Sequence, residues 1–409
     1  MAPKSRNVTA KALQALLVRI GSESSGTKAI LHDRFVRDIH ESRLFKRRPD
    51  WQARQNMDSG RKLRIMSIDM GIKNLAYCDV EVDYPSKDSL NATMEVLRWE
   101  KIDLVKARRN VPDRLPSAEK IKKGTKDEDG DVDPYSLPIL SATAYSLVRN
   151  MILVGEPDII LIEKQRWRSG GGSAIQQWTI RVNTLEGMLW AVLETLHSER
   201  KLMLPKLREP EGERDYEVSG VDPKRVGHYW LAQKARQAGT VESIADTQGA
   251  ASEEEDKVVN KKEMSRSKAE KKAKIAILRS WLSCDPPTTA CSIRDTAPRI
   301  TFKFGSNNAE RTRQALCSPS KPARRKKSGD SNKEDSGNSI EAEAVGESEL
   351  KKLDDITDCF LQAAAWVSWE SNRLQLLEVH NRRRSEDGSV AELSEEVLLE
   401  MVKEVGEGG

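Results

Sequence analysis

Residues 63–82, LRIMSIDMGIKNLAYCDVEV, decide the fold. Leu63 to Met70 and Asn74 to Val82 are two apolar, β-prone runs joined by a tight turn at Gly71. Outward from them, residues 95–102 (EVLRWEKI) offer a third strand. Ser141 to Val154 has the spacing of a helix, with Ala144, Leu147, Val148, Met151 and Ile152 on its apolar face. Residues 158–163 (DIILIE) form the short, nearly all-apolar run of a buried parallel strand. Long helices are expected from Ala174 to Arg200 and from Leu350 to Leu377. Strands, then helix, strand, helix and a late acidic helix describe an α/β fold whose mixed sheet is flanked by helices.

Composition limits how much of the chain is core. Of 409 residues, 32% are charged and only 37% hydrophobic, which suits one sizeable globular domain with decorations. Three charged, apolar-poor segments, 105–135, 240–275 and 317–349, read as disordered insertions, and 381–409 as an acidic C-terminal tail. Net charge is only +4, yet residues 1–64 carry fifteen Lys and Arg against six Asp and Glu, an excess that suits a polyanionic partner. No run approaches the roughly 18 uninterrupted apolar residues of a bilayer span, so membrane insertion is not expected. The five cysteines form no C-x-x-C pair, which argues against structural zinc and a disulfide framework.

The chemistry is in the acids. Asp69 ends one hydrophobic strand and Glu163 another, so a parallel pairing would bring both carboxylates to the same carboxyl edge, where open α/β sheets bind ligands. In the helical segment 351–366 (KKLDDITDCFLQAAAW), Asp355 and Asp358 are three apart and Asp354 and Asp358 four apart, so either pair shares a face. Each acid alone has an ordinary reading: a turn residue before Gly, a surface partner for Lys164 or Arg166, or favoured acids in a helix's first turn. Their joint occurrence is the specific signal. Converging carboxylates call for hard cations such as Mg²⁺ or Mn²⁺. Two ions roughly 3.5–4 Å apart would suit phosphodiester hydrolysis.

The strings at 65–82, 158–193 (DIILIEKQRWRSGGGSAIQQWTIRVNTLEGMLWAVL), 218–231 (VSGVDPKRVGHYWL) and 351–369 together resemble the fungal mitochondrial Holliday junction resolvases, a family similar to the bacterial RuvC resolvases. The resemblance runs from about residue 8 to about residue 372, and the I-E-K-Q-R-x-R-S string is its most specific part. It implies an RNase H-like fold, a four-way DNA junction as substrate, a homodimer and a mitochondrial location. Asp69, Glu163 and Asp358 match the family's metal ligands. Asp354 is favoured over Asp355 as the fourth by the fungal double-Asp pattern, with the choice open.

Phosphate contacts are expected from Lys73 in the turn and from Lys164, Gln165, Arg166, Arg168, Ser169 and Gly170 after Glu163, with Arg181 a further candidate. Residues 8–45 resemble a SAP motif, a small helical DNA-binding module, in which Lys28 and Arg34 would face DNA. Its first twenty residues, basic and free of acids, also fit a mitochondrial presequence. Two rival activities remain: a junction-binding protein that does not cut, and an RNase H-like nuclease acting on RNA–DNA hybrids.

Overall fold

The computed structural model describes residues 7–43, 62–83, 90–109, 133–165, 177–203, 216–237, 266–283, 291–292, 300–318, 353–382 and 393–407. Its strands are β1 (Leu63–Asp69), β2 (Leu75–Val82), β3 (Ala92–Ile102), β4 (Ile159–Glu163), β5 (Glu217–Val221), β6 (Cys291–Ser292) and β7 (Ile300–Phe304). They form one sheet in the order β5-β4-β1-β2-β3-β7-β6. β1 pairs antiparallel with β2 and parallel with β4, and β4 parallel with β5. The five-strand part is the RNase H-like sheet, extended by β7 running parallel to β3 and by β6.

The helices are α1 (Ala10–Arg19), α2 (Lys28–Asp38), α3 (Leu104–Arg109), α4 (Leu137–Leu147), α5 (Gln177–Met203), α6 (Pro223–Gln237), α7 (Arg266–Leu282), α8 (Asn307–Cys317), α9 (Leu353–Arg382) and α10 (Glu395–Glu407). Side chains alternate across a strand, so each central strand feeds two cores. Ile65, Ile159 and Leu161 pack with α6, α7, α8 and α9 on one face. Met66, Ile68, Ile160 and Ile162 pack with α4 and α5 on the other. Burial on both faces explains why these strands read as continuous apolar runs.

α9 crosses the sheet instead of following a strand. Ser67 Oγ donates to Cys359 O at 2.8 Å, and Trp99 Nε1 to Ile356 O at 3.0 Å. Gln362 Nε2 reaches Ser67 Oγ at 3.1 Å, and Trp230 Nε1 donates to Leu361 O at 3.0 Å. These bonds fix both the rotation and the register of the helix.

A third core joins α1 and α2 to the end of α9 and to α10. Leu13, Leu16, Leu17, Leu31 and Phe35 pack against Leu376, Val379, Val397, Leu398 and Met401. Thr9 caps α1, accepting from Ala12 N at 3.1 Å. Gly21 ends α1 with φ +68, and the bonds Ser22 N to Leu17 O (2.8 Å) and Gly21 N to Val18 O (3.1 Å) close it. A Cβ at Gly21 would lie 2.0 Å from the Trp369 ring, so the glycine serves both the turn and the docking of the module. Buried Glu370 pairs with Arg373 at 2.6 Å and accepts from Ser42 Oγ at 2.9 Å, fastening the chain after α2 to α9.

Three boundaries drawn from composition need correction; in the first, residues 105–109, expected in a disordered insertion, belong to α3. Residues 266–275, expected within a disordered insertion, are helical: Ile277, Leu278 and Leu282 anchor α7 in the core, and Lys271 and Lys274 face Asp354 and Asp358. Residues 395–407, expected in an acidic tail, form α10, whose Glu395 and Glu396 are exposed while Val397, Leu398 and Met401 face α1. Residues 110–132, 238–265 and 319–350 lie outside the described residues. The run Leu137–Gly155 is long and apolar enough to cross a membrane by length and composition alone, although Ser141, Thr143, Ser146, Arg149 and Asn150 interrupt it. In the fold its Ala144, Leu147, Val148 and Ile152 join the core with α5.

Candidate active site

The parallel register of β1 and β4 aligns Ile68 with Ile162, so Asp69 and Glu163 leave adjacent strands one residue further on, at the same edge. Asp69 continues the parity of Ile65 and Ser67, and Glu163 that of Ile159 and Leu161. Both therefore lie on the face that α9 covers. Asp69 is buried beside Glu163. Burial, then the charge of Glu163, raises its pKa well above the ordinary range, with Asp358 and Asp355 adding to the effect. Asp358 is raised too, chiefly by burial, although Lys274 opposes the shift.

Two cations from α7 face this edge. Lys271 Nζ donates to Asp354 Oδ2 at 2.6 Å, and Lys274 Nζ to Asp358 Oδ1 at 3.1 Å. Lys274 is buried and also lies 3.6 Å from Glu270. With Asp354 and Asp358 turned onto lysines, no three His, Cys, Asp or Glu side chains among the described residues converge on one point closely enough to hold an ion. The site is instead a rim of hard oxygen donors whose mutual repulsion is already expressed on Asp69. That donor set fits a hard divalent cation and not zinc.

The expected DNA contacts separate into groups. Lys73 is exposed in the β1–β2 turn, close in sequence to Asp69. Lys164 is exposed beside Glu163, its backbone N donating to Val221 O and its alkyl stem lying where a Gly220 side chain would be. Gln165 N donates to Glu186 Oε2 at 3.1 Å. Arg181 sits 3.4 Å from Asp133 and over the Tyr135 ring at 4.3 Å, which commits it to the α4–α5 side. Arg34 donates to Glu23 O and Ser25 O at 2.7 and 2.8 Å, so it braces the loop between α1 and α2. Lys28 is exposed, 3.6 Å from Glu395. Arg166, Arg168, Ser169 and Gly170 lie outside the described residues.

Three residues escaped the sequence reading. Glu186, its carboxyl pKa raised by burial, holds the backbone just past Glu163. Lys271 and Lys274 sit in a lysine-rich run that resembles a solvated surface. Their spacing of three ahead of the apolar IAIL stretch was the available signal.

Comparison with known proteins follows this geometry. The chain is 29% identical over 173 residues to the mitochondrial cruciform cutting endonuclease 1 of Schizosaccharomyces pombe, covering 41% of this chain and 53% of that protein. It is 24% identical over 347 residues to the protein of the same name in Saccharomyces cerevisiae, covering 83% of this chain and 79% of that one. Among solved structures it is similar to the yeast mitochondrial Holliday junction resolvase Ydc2, at 18% identity and a TM-score of 0.44, over 90% of this chain and 95% of that one. A family profile matches residues 65–376, spanning β1, β4, α7 and most of α9, and the chain belongs to the family described as mitochondrial resolvase Ydc2 / RNA splicing MRS1.

Proposed function

We propose that the protein is a mitochondrial, structure-selective DNA endonuclease that resolves four-way junctions by metal-dependent phosphodiester hydrolysis. The observation that carries this reading is the parallel register of β1 and β4, which sets Asp69 and Glu163 side by side at one sheet edge, with α9 seated across the same face so that its acids approach that edge. The family description joins a resolvase to an RNA-splicing protein, so membership alone leaves cutting open. A complete set of acids on a buried rim favours cutting over architecture, because such repulsion is costly unless cations offset it.

Two Mg²⁺ or Mn²⁺ ions, when bound, would polarise the scissile phosphate and provide hydroxide at neutral pH. The chain's own part is positioning. β1 and β4 present Asp69 and Glu163 from rigid strands, and α9, held through Trp99 and Ser67, presents Asp355 and Asp358. We assign the fourth ligand to Asp355, whose charge acts on Asp69. Lys73 and Lys164 would hold phosphates on either side of the cut.

The working form is proposed to be a homodimer. Leu137 and Tyr145 on α4, and Trp178 and Ile180 on α5, are exposed apolar side chains on paired helices. Trp178→Glu is expected to shift sedimentation to the monomer; an unchanged dimer would place the interface elsewhere.

Nicking of a synthetic four-way junction with Mg²⁺, run beside Asp69→Asn and beside a linear duplex and an RNA–DNA hybrid at equal salt, tests the function. Symmetric nicks on the junction alone, lost in the variant, are expected. Binding without cutting by both proteins would assign an architectural role, and preference for the hybrid a different nuclease.

A further inference from the structure

A second polar cavity lies away from the carboxylates, between β5, α9 and the chain leaving α2. It has a volume of about 330 Å³ and is lined by Glu217 to Asp222, Arg225, Arg43, Trp366 and Trp369. A neighbouring cavity of about 330 Å³ shares Arg43 and Arg225 with it and is also lined by the acids Glu23, Asp38 and Glu41, of which Glu23 pairs with Arg34 and Asp38 with Arg37. The two arginines thus stand between the cavities.

Among the described residues neither guanidinium makes a direct ion pair, although the charges of Asp38 and Glu370 act on Arg43 from further away. Arg43 Nε donates to Ile20 O at 2.5 Å and Nη2 to Ser22 Oγ at 2.8 Å, and its cation lies 5.7 and 5.5 Å from the ring centres of Trp366 and Trp369. All four partners are uncharged. Burial lowers the Arg43 pKa to about 10; the charges of Asp38 and Glu370 oppose the shift, and Arg225 and Arg373 add to it. Among the described residues, no carboxylate lies within ion-pair distance of Arg43 or Arg225. The indole Nε1 donors of Trp366 and Trp369 are buried with no acceptor. Two cations without a direct ion pair and two orphan donors at one cavity describe a site for an oxyanion. Of its acids, Asp222 accepts from Lys224 N at 2.8 Å, capping α6, and Glu217 stands at the opposite end of β5.

Position narrows the ligand. Val221 pairs with Glu163, so the cavity's end at Asp222 opens on the same sheet edge as the acids. Two strand spacings, on the order of 10 Å, separate β5 from Asp69's strand. Asp358 and Trp366 are eight residues apart, about 12 Å along α9. That is the length of about three base steps of duplex.

We propose that Arg43, Arg225 and the indoles of Trp366 and Trp369 bind one backbone phosphate of the DNA substrate, about three nucleotides from the scissile bond. The proposal rests on the endonuclease reading for its ligand, but the pocket makes no use of the catalytic acids. It joins the N-terminal module to the active-site edge through the DNA itself.

The test measures junction binding without divalent ions, in an Asp69→Asn background, as affinity against salt. Arg225→Gln is expected to weaken binding about 5–10-fold and lower the log–log salt slope by about 0.9, the signature of one lost phosphate contact. Arg225→Lys should restore most of the slope, because a cation suffices. Arg43→Gln should match Arg225→Gln, with unchanged melting showing that the fold is intact. An unchanged slope in Arg225→Gln overturns the proposal. So does stabilisation of the wild type, but not of Arg225→Gln, by millimolar inorganic phosphate with the junction slope unaffected, since the pocket would then serve a small anion. Cleavage by the wild type with Mg²⁺ is scored separately, so an inactive enzyme with a normal salt slope would sink the catalytic reading and leave this one standing.

Discussion

At the scale of single residues, Asp69 carries the most testable physics. Its carboxyl holds its proton more tightly in the folded chain than in an unfolded one, first through burial and then through Glu163, Asp358 and Asp355. Between the ordinary carboxylate range and that raised value, the native state binds more protons than the unfolded state, so this group's contribution makes stability fall as pH rises through the interval. Asp69→Asn should flatten the decline and raise the metal-free melting temperature at neutral pH, by about 2–4 °C for each kcal/mol of repulsion relieved. Thermal melts at mildly acidic and neutral pH check the sign; equal pH slopes in both proteins would show that Asp69 is not strained. A second prediction separates neighbours on α9: Asp355→Asn should lower junction cutting about 10³-fold, equivalent to about 4 kcal/mol in the transition state, and Asp354→Asn less than tenfold. The reverse order would return the assignment to Asp354. Asp69 and Glu163 were legible because each ends an apolar run and the strand period fixes its face. The fourth acid was not, since helical spacing accepts either pair and the rotation of α9 is set by Trp99 and Ser67, over 250 residues away in sequence.

At the scale of elements, α9 is the beam that makes a site out of separate strands. Its first turn depends on one indole: Trp99 Nε1 donates to Ile356 O, and Thr312 Oγ1 from α8 donates to Trp99 O at 2.7 Å. Trp99→Phe keeps most of the packing with Phe360 and Phe304 and deletes the bond. Loss of one buried hydrogen bond should cost about 1 kcal/mol of stability. The turn bearing Asp355 and Asp358 is freed at the same time, so cutting should fall while junction affinity holds, measurable as kcat against Kd. A parallel loss of both would mean that Trp99 supports the sheet in general. The same beam explains which elements were legible. β1, β2, β4 and α5 announce themselves by apolar content or period, whereas β6 has two residues and β7, as short as β4, mixes Thr301 and Lys303 among its apolar residues. α7 was hidden by its lysines, whose charge reads as solvated until Asp354 and Asp358 appear opposite them.

At the scale of the molecule, the N-terminal module is built from both ends of the chain. α1 and α2 resemble a short motif in sequence, yet their apolar faces close on the last turns of α9 and on α10. An acidic, Glu-rich C-terminus gave little hint of this, because Val397, Leu398 and Met401 are an apolar stripe that only α1 completes. Removing α10 should therefore act at the opposite end of the sequence. Fully burying side chains like these stabilises by about 1.5–3 kcal/mol each, offset in part by the entropy of ordering the helix. A chain ending at Arg382 is thus expected to lose hydrogen-exchange protection in α1 and α2, while β1 and β4, in cores that α10 does not touch, keep theirs. Metal-dependent nicking should survive in this truncation, and junction affinity should weaken through the Arg43 pocket, whose position depends on Ile20 and Ser22. Exchange that rises together in α1 and β1 would instead show that α9 couples module and sheet into one cooperative unit, with Glu370 and Arg373 as the fastening between them.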